Sequence, residues 1–291
     1  MIDDVSPARG GLVPRVTWAH VPTDQHVLEQ LAALLSDTEQ QELHRLHRRA
    51  DHARYVARHA LLRLLVAESL GHNPAQVILR RWCAVCETTR DHGQLLVERP
   101  MDDYGTAGGR PLHVSIASTG NVAMAALSAD GPVGVDVESI GGVRFAGFDG
   151  VALHPMERRA LNDIPESDRA RARATWWVRK EALVKATGRG LSIDPRTMAF
   201  SCPGVPCRLL VWRDSPLALS TSPSVEDLHL APEDHAGSRD GNGPDTAPHP
   251  DEVVAAVAWL GHTTSEGEPP RPAGPPDTMW VDLTRPLGAS D

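Results

Sequence analysis

The segment Val133-Gly134-Val135-Asp136-Val137-Glu138 constrains the fold most, because valines alternate along it with glycine or acidic residues. Successive side chains of a β-strand point to opposite faces, so the pattern predicts a strand with a valine face and a face carrying Asp136 and Glu138. Gly134 leaves room on that second face for a ligand or a bulky neighbour. Two carboxylates about 7 Å apart on one strand face repel each other. We therefore expect either a solvated polar face or a bound cation between them.

The second of two helical stretches before Gly190 predicts a helix with two distinct faces. Glu181 and Lys185 share one face, and at i,i+4 spacing they form an ordinary helix-stabilising pair. If the helix lies beside the strand, however, Glu181 adds a third carboxylate to Asp136 and Glu138. Three carboxylates and a lysine suit one Mg²⁺ and a diphosphate, because this hard cation commonly bridges protein carboxylates and substrate phosphates. At 100° per residue the opposite, core-facing stripe comprises Ala172, Trp176, Leu183 and Ala186.

One long helix and several strands are predicted elsewhere in the chain. The helix spans residues 36–71, since Ser36 and Glu39 form a capping box at its start and Gly71 provides a stop. Residues 78–112 predict irregular structure. Strands are predicted at Arg15–Pro22, His113–Ala117, Val122–Leu127, Val133–Glu138, Met198–Phe200, Leu209–Trp212 and Glu252–Leu260.

Composition restricts the class of protein. The 291 residues are 41% hydrophobic and 23% charged, which is typical of a folded soluble chain. No apolar run approaches the roughly 18–20 residues of a membrane span, and the opening MIDDVSPARG lacks the features of a secretory signal. We therefore expect a cytoplasmic protein with no membrane contact. The net charge of −9 argues against bulk nucleic-acid binding. Four cysteines do not make a disulfide scaffold.

Strand and helix groups occur once before residue 130 and again after it, which favours two halves. We predict an N-terminal half at 1–130 and a C-terminal half at 131–262 that carries the acidic site. Residues 263–291 are predicted to form a Pro-rich tail. Within the second half, residues 214–251 are rich in Pro, Ser, Asp and Gly, which predicts an extended loop.

Two segments together carry a resemblance to a known family. Residues 134–138 read G-V-D-V-E, and residues 177–192 read W-V-R-K-E-A-L-V-K-A-T-G-R-G-L-S. This resembles the 4′-phosphopantetheinyl transferase superfamily, Sfp-type. Its members show G-[IV]-D-[IV]-E, then W-x-x-K-E-[SA]-x-x-K after a similar separation, and then a G-[KR]-G-L tail. The resemblance extends more loosely to residues 51–65 and to the His-Pro-x-Glu turn at 154–157.

The resemblance implies a fold and an activity. The fold is α+β, with two similar α/β halves in one chain related by a pseudo-twofold axis. Each half is a small, mostly antiparallel sheet packed with helices, and coenzyme A and Mg²⁺ lie between the halves. The activity is transfer of 4′-phosphopantetheine from coenzyme A to a serine of an acyl or peptidyl carrier protein, with release of 3′,5′-ADP. A monomer is expected.

The resemblance also assigns roles to individual residues. Asp136, Glu138 and Glu181 match the metal-binding acids, and Glu181 additionally matches the candidate general base. Lys185 matches the lysine near the reacting phosphates and counts with Glu181 as catalytic. The residues that match coenzyme-binding positions are Arg54 on the first helix, Lys180 and Lys185.

The chain departs from the family pattern at two places that bind the coenzyme. Ser118 stands where the family has a histidine for the coenzyme phosphates. The hydroxyls of Ser118 and Thr119 donate hydrogen bonds to phosphate but bring no positive charge. The family's G-[KR]-P turn has two candidates. We favour His92-Gly93-Gln94 for its position, whereas Gly109-Arg110-Pro111 agrees better in residue type.

Other functions stay open at this point. The same three acids could serve a different metal-dependent phosphotransferase or phosphohydrolase, and Ser118 allows a homologue that binds coenzyme A or a carrier without turnover. The basic stretch Arg45–Arg58 could attract an acidic carrier domain despite the overall negative charge. A structural zinc site is a further hypothesis, with Cys83, Cys86, Cys202 and Cys207 as the four thiolates.

Overall fold

The computed structural model describes residues 13–83, 85–87, 93–98, 112–218, 221–230, 253–262 and 276–285. Two sheets form its centre, and each is covered by helices on its outer face. The predicted α+β class with small, mostly antiparallel sheets packed with helices is confirmed. No helix in the described part of the chain is both long and apolar enough to span a membrane.

The first sheet has six strands in the spatial order β11-β1-β5-β4-β3-β2. Neighbouring strands are antiparallel, except that β11 runs parallel to β1. The strands are β1 (Arg15–His20), β2 (Ile78–Trp82), β3 (Gln94–Glu98), β4 (Leu112–Thr119), β5 (Val122–Ser128) and β11 (Asp277–Trp280). Three helices pack on its outer face: α1 (Gln25–Ala32), α2 (Asp37–His44) and α3 (Arg49–Leu70).

The single helix predicted at 36–71 is wrong, because the chain forms α2 and α3 with a break between them. Its predicted ends are nevertheless present: Ser36 and Glu39 form the capping box, and Gly71 ends α3 in the left-handed conformation. The break has a physical reason. Glu39 accepts hydrogen bonds from His59 Nδ1 at 2.9 Å and from Arg63 Nη2 at 2.6 Å. On one straight helix, Glu39 and Arg63 would stand about 36 Å apart.

The second sheet contains β6 (Val133–Ser139), β10 (Val253–His262) and β9 (Thr221–Leu228), in the order β6-β10-β9 and entirely antiparallel. Its outer face is covered by α6 (Glu166–Thr187). The smaller elements are α4 (Phe148–Ala152), α5 (Pro155–Ala160) and the two-stranded pair of β7 (Met198–Phe200) and β8 (Leu209–Trp212).

The inner faces of the two sheets pack against each other through a core of mostly β-branched and small side chains. Val135 and Val137 of β6 and Val257 of β10 meet Trp18 of β1 and Met124 of β5, and each of these five residues is no more than 3% exposed. The valine face predicted for β6 is therefore the face that joins the sheets. Its other face, which carries Asp136 and Glu138, lies on the α6 side.

Three further predictions need correction. Residues 78–112 are not irregular throughout, since they include β2 and β3, and Leu112 begins β4. The predicted loop 214–251 contains β9, which is an edge strand and therefore tolerates Pro223. The predicted tail 263–291 supplies β11 to the first sheet. Most of that loop and tail lies outside the described residues.

The two halves share one feature and differ in another. Each sheet carries on its outer face a helix of 22 residues, α3 or α6, that ends at a left-handed glycine. The sheets themselves have six and three strands. The division into halves at residue 130 and the pseudo-twofold relation stay predictions.

Candidate functional site

The candidate site forms where α6 crosses β6, and Gly134 allows the close approach. A Cβ atom at Gly134 would lie 2.0 Å from the carbonyl oxygen of Ala182 and 2.6 Å from the nitrogen of Ala186. Any side chain here would collide with the helix backbone, so the bulky neighbour that the sequence allowed for is α6 itself. The crossing brings the turn from Glu181 to Lys185 beside the acidic face of β6.

Lys185 forms the central polar contact of the site. Its Nζ donates to Asp136 Oδ1 at 2.7 Å and to the carbonyl oxygen of Val135 at 3.0 Å. The carbonyl oxygen of Ile116 on β4 lies 3.5 Å from the same nitrogen. The Lys185 side chain is 32% exposed, so it ties α6 to β6 and still reaches solvent.

Burial raises the pKa of Asp136, and the negative charge of Glu138 adds to this effect. The ammonium of Lys185 opposes both. Glu138 itself is held in place by three donors on its Oε1: the Ser139 nitrogen at 2.7 Å, the Thr119 hydroxyl at 3.0 Å and the Ser139 hydroxyl at 3.3 Å. Thr119 thus contacts the acidic site from the end of β4.

Glu181 is half-buried on α6 and lines a cavity of about 550 Å³ together with Trp177, Lys185 and Arg196. Burial raises its pKa, the charge of Asp136 raises it further, and Lys185 opposes the shift. Asp136 therefore interacts electrostatically with both Glu138 and Glu181. The structure brings the three predicted acids into one neighbourhood.

The donor set of this neighbourhood suits a hard divalent cation, because it consists of carboxylate oxygens. The present arrangement is not a compact metal centre, however. Among the described residues no group of three or more His, Cys, Asp or Glu side chains is positioned to hold a metal ion. Lys185 and Thr119 instead satisfy the carboxylates of Asp136 and Glu138.

Lys180 does not face the site, so its prediction as a coenzyme ligand is wrong. Its side chain is 0% exposed. Its Nζ donates to Glu157 Oε2 at 2.6 Å and to the carbonyl oxygen of Ala152 at 2.7 Å. Glu157 also accepts from the nitrogens of His154 and Phe200, at 2.9 and 3.0 Å. The His-Pro-x-Glu turn thus provides a buried structural anchor for α6.

Arg54 lies on the first turns of α3, where it forms an ion pair with Asp51. Its side chain is partly exposed, and none of its described contacts reaches the three acids. One turn further along α3, Arg58 Nη1 donates to Ser118 Oγ at 3.1 Å. The spacing of four residues puts Arg54 and Arg58 on one face of α3, whereas the contact with Ser118 arises only from the fold.

A second cavity, of about 590 Å³, opens next to the acids. Its lining includes Lys185, Arg81, Gly93 and Ile116. Gly93 is at φ +107°, and a Cβ atom there would lie 2.2 Å from the carbonyl oxygen of Trp82. This position therefore requires glycine. His92 and the alternative turn Gly109-Arg110-Pro111 lie outside the described residues.

The zinc hypothesis receives no support from the described residues. Cys83 and Cys86 follow β2 in the first sheet, whereas Cys202 and Cys207 lie between β7 and β8. The backbone nitrogen of Cys86 is 3.4 Å from Cys83 Sγ, which makes a local turn. These four cysteines are among the described residues, in which no group of three or more His, Cys, Asp or Glu side chains is positioned to hold a metal ion.

Comparison with known proteins supports the resemblance for the C-terminal part of the chain. Residues 132–231 match the family model of the 4′-phosphopantetheinyl transferase superfamily. The chain is 28% identical over 173 residues to slr0495 of Synechocystis sp., whose name assigns it provisionally to the 4′-phosphopantetheinyl transferases. That match covers 59% of this chain and 64% of slr0495, which is less than two thirds of its length.

A second relative is the 4′-phosphopantetheinyl transferase HetI of Nostoc sp., at 24% identity over 220 residues. This match covers 74% of the chain and 82% of HetI. Two solved structures of ACPS from Chronobacterium ammoniagenes, an apo form and a CoA complex, are each 18% identical. They cover 44% and 45% of the chain, and 94% and 96% of ACPS, with TM-scores of 0.29 and 0.30.

Proposed function

We propose that this chain, which carries a domain of the 4′-phosphopantetheinyl transferase superfamily, is an Sfp-type member of that superfamily. It transfers 4′-phosphopantetheine from coenzyme A to a serine of an acyl or peptidyl carrier protein and releases 3′,5′-ADP. The observation that carries the proposal is the crossing of β6 and α6, which gathers Asp136, Glu138, Glu181 and Lys185 in one place.

The neighbouring 590 Å³ cavity is of a size that suits coenzyme A, since ligand pockets commonly measure roughly 300–1,000 Å³. Its walls combine apolar residues, such as Leu95 and Val114, with the cations Arg81, Lys185 and Arg189. Coenzyme A has the same division of character, because an uncharged pantetheine arm is joined to a charged diphosphate. We place the arm along the apolar wall and the diphosphate toward Lys185.

Mg²⁺ belongs to this proposal, with Asp136, Glu138 and Glu181 as the residues that would hold it. When bound, such an ion neutralises phosphate charge and fixes the geometry of the diphosphate. Two features of the chain support the assignment. The ligands are all oxygens, and burial together with the charge of a neighbouring carboxylate raises the pKa of both Asp136 and Glu181, a condition that a nearby cation relieves.

Glu181 is the proposed general base. A raised pKa brings a carboxylate closer to the range in which it accepts a proton efficiently near neutral pH. The carrier serine oxygen forms a bond to the phosphorus that bears pantetheine, and the bridging P–O bond of the diphosphate breaks. Glu181 takes the serine proton, and 3′,5′-ADP leaves with the bridging oxygen. Lys185 stabilises negative charge on the phosphates during this step.

The test is incubation of the purified protein with coenzyme A and an apo carrier domain, followed by intact mass measurement of the carrier. We expect a mass gain of one phosphopantetheine that requires Mg²⁺ and is blocked by a chelator. Hydrolysis of coenzyme A without carrier modification would instead indicate a phosphohydrolase. Tight coenzyme binding with neither product would indicate a non-catalytic homologue.

A further inference from the structure

Arg58 is an arginine of α3 that the proposed chemistry has not yet used. Its Nη1 donates to the hydroxyl of Ser118 at the end of β4, with an N–O distance of 3.1 Å. Its guanidinium carbon lies 5.0 Å from the centre of the buried Tyr55 ring, which is within the range of a cation–π contact. Two contacts therefore position the guanidinium, although the side chain is only half-buried.

The charges around Arg58 are unbalanced. Arg54 and Arg81 lie close enough that their positive charges, after burial, lower the pKa of Arg58. Asp51 is the nearby carboxylate, and it is already engaged in an ion pair with Arg54. Arg58 forms no ion pair with any residue that the structure describes. A half-buried cluster of three arginines with one paired carboxylate is stabilised by an added anion.

The position of the cluster points to the coenzyme. Ser118 lies on the same face of β4 as Ile116, two residues earlier, and both Ile116 and Arg81 line the 590 Å³ cavity. The next residue, Thr119, contacts Glu138 of the acidic site. Arg58 therefore contacts β4 one residue before the position at which that strand reaches the acidic site.

We propose that Arg58, oriented by Ser118 and Tyr55, binds a phosphate group of coenzyme A. The proposal rests on the proposed function. It names Arg58 as a coenzyme-binding residue, which neither the resemblance nor the comparisons identify. The serine at position 118 brings no charge of its own. The fold supplies that charge from α3, because the Ser118 hydroxyl holds the guanidinium at the position where a phosphate would need it.

The first experiment measures coenzyme affinity by calorimetry for the wild type, Arg58→Gln and Arg58→Lys. We expect Arg58→Gln to weaken binding of coenzyme A roughly ten- to a hundredfold, as for loss of a charge-assisted hydrogen bond. Arg58→Lys retains the charge and should recover part of this loss. Pantetheine, which has no phosphate, should bind all three proteins equally. The matched control is Arg80→Gln, an exposed arginine of β2 that pairs with Glu98 and should leave affinity unchanged.

If Arg58 had a purely structural role, a different result is expected. The Arg58→Gln substitution would then lower the melting temperature and weaken the binding of coenzyme A and of pantetheine equally. A second variant separates the roles further: Ser118→His in the Arg58→Gln background should restore part of the coenzyme affinity, because it returns a cation to the same position. A folded Arg58→Gln protein with wild-type affinity for coenzyme A would overturn the proposal.

Inorganic pyrophosphate distinguishes failure of this inference from failure of the proposed function. If the wild type modifies the carrier and Arg58→Gln does so with unchanged KM for coenzyme A, the inference falls and the function stands. If pyrophosphate protects the wild type but not Arg58→Gln against thermal unfolding, while no carrier is modified, the anion site stands and the function falls. Binding of neither coenzyme A nor pyrophosphate by the wild type overturns both.

Discussion

Helices α3 and α6 each carry a pair of cations five residues apart, of which one is almost fully buried and the other half-buried. Arg63 of α3 and Lys180 of α6 are almost fully buried, and each is held by a capping-box glutamate of a neighbouring short helix, Glu39 or Glu157. The second cations are Arg58 and Lys185, which stay half-buried and contact β4, at the Ser118 hydroxyl and the Ile116 carbonyl oxygen respectively. Burial, rather than residue type, separates the structural cations from the candidate ligands.

The two helices differ in one respect that concerns chemistry. Next to Lys185, α6 presents a half-buried carboxylate, Glu181, within electrostatic reach of Asp136. On α3 the corresponding neighbourhood of Arg58 contains arginines and the paired Asp51. We therefore assign proton transfer to α6 and anion binding to α3.

The largest effect is expected for Glu181→Gln, which removes the one carboxylate of α6 that faces the site. Transfer should fall by at least roughly 10²-fold, within the range for loss of a general base. The melting temperature should stay close to that of the wild type, since Glu181 forms no ion pair with a described residue. Carrier modification followed by mass spectrometry measures the rate. Near-normal turnover in a folded Glu181→Gln protein would contradict both the base and the metal assignment.

Glu157→Gln should affect stability rather than chemistry. It leaves the ammonium of Lys180 buried without a counter-charge, which costs roughly 3–5 kcal/mol of unfolding free energy. Urea denaturation followed by fluorescence measures the change. The control is Glu166→Gln on the exposed first turn of α6, which we expect to stay within about 0.5 kcal/mol of the wild type. Equal stability of the two variants would show that the Lys180–Glu157 pair is not an anchor.

On the α3 side, Glu39 should make stability depend on pH. Burial alone would raise its pKa, but the hydrogen bond and charge of His59, with Ser36 and Arg63, lower the pKa from 4.5 to about 2. A lowered folded-state pKa contributes stability that is fully present above pH 4.5 and is lost as pH falls toward 2. The contribution is about 3 kcal/mol. The difference in unfolding free energy between the wild type and Glu39→Gln should shrink over this interval, and a constant difference would refute the assignment.

The smallest effects are expected from exchanging each lysine of α6 for arginine. Lys185→Arg should slow transfer by roughly tenfold with little change in stability, because a planar guanidinium replaces a compact ammonium near the phosphates. Lys180→Arg should instead cost roughly 1–3 kcal/mol by overfilling a closed site, with kcat unchanged at temperatures where the protein is folded. If the two exchanges gave the same phenotype, the distinction between open and closed cations would fail.

The sequence predicts local patterns of the site well and partnerships across the fold poorly. The alternation in β6 identified the face of Asp136 and Glu138, and helical spacing placed Glu181 and Lys185 together, because both depend on the geometry of one element. The role of Lys180 could not be read in this way. Its partner, Glu157, lies on another helix, and the two meet only after α5 packs under α6.

The contact between Arg58 and Ser118 could likewise not be predicted from the sequence, since 60 residues separate the two positions.

The sequence failed to predict strands β2 and β9 for a related reason. In β2, exposed and partly buried residues alternate without a fully buried face, and β9 is a polar edge strand containing Pro223. Such strands owe their conformation to pairing with neighbours rather than to a strong hydrophobic period. The signal that could have identified Arg58 was its spacing from Arg54, which puts both on one face of α3.

The parallel pairing of β11 with β1 has a consequence for how the chain matures in a cell. During synthesis the ribosome releases β1 through β5 first, and their antiparallel pairing requires nothing that comes later. The outer neighbour of β1, however, emerges only after all strands of the second sheet have been translated. Until β11 has been translated, the nascent protein therefore exposes the unpaired edge of β1 among the strands that the structure describes.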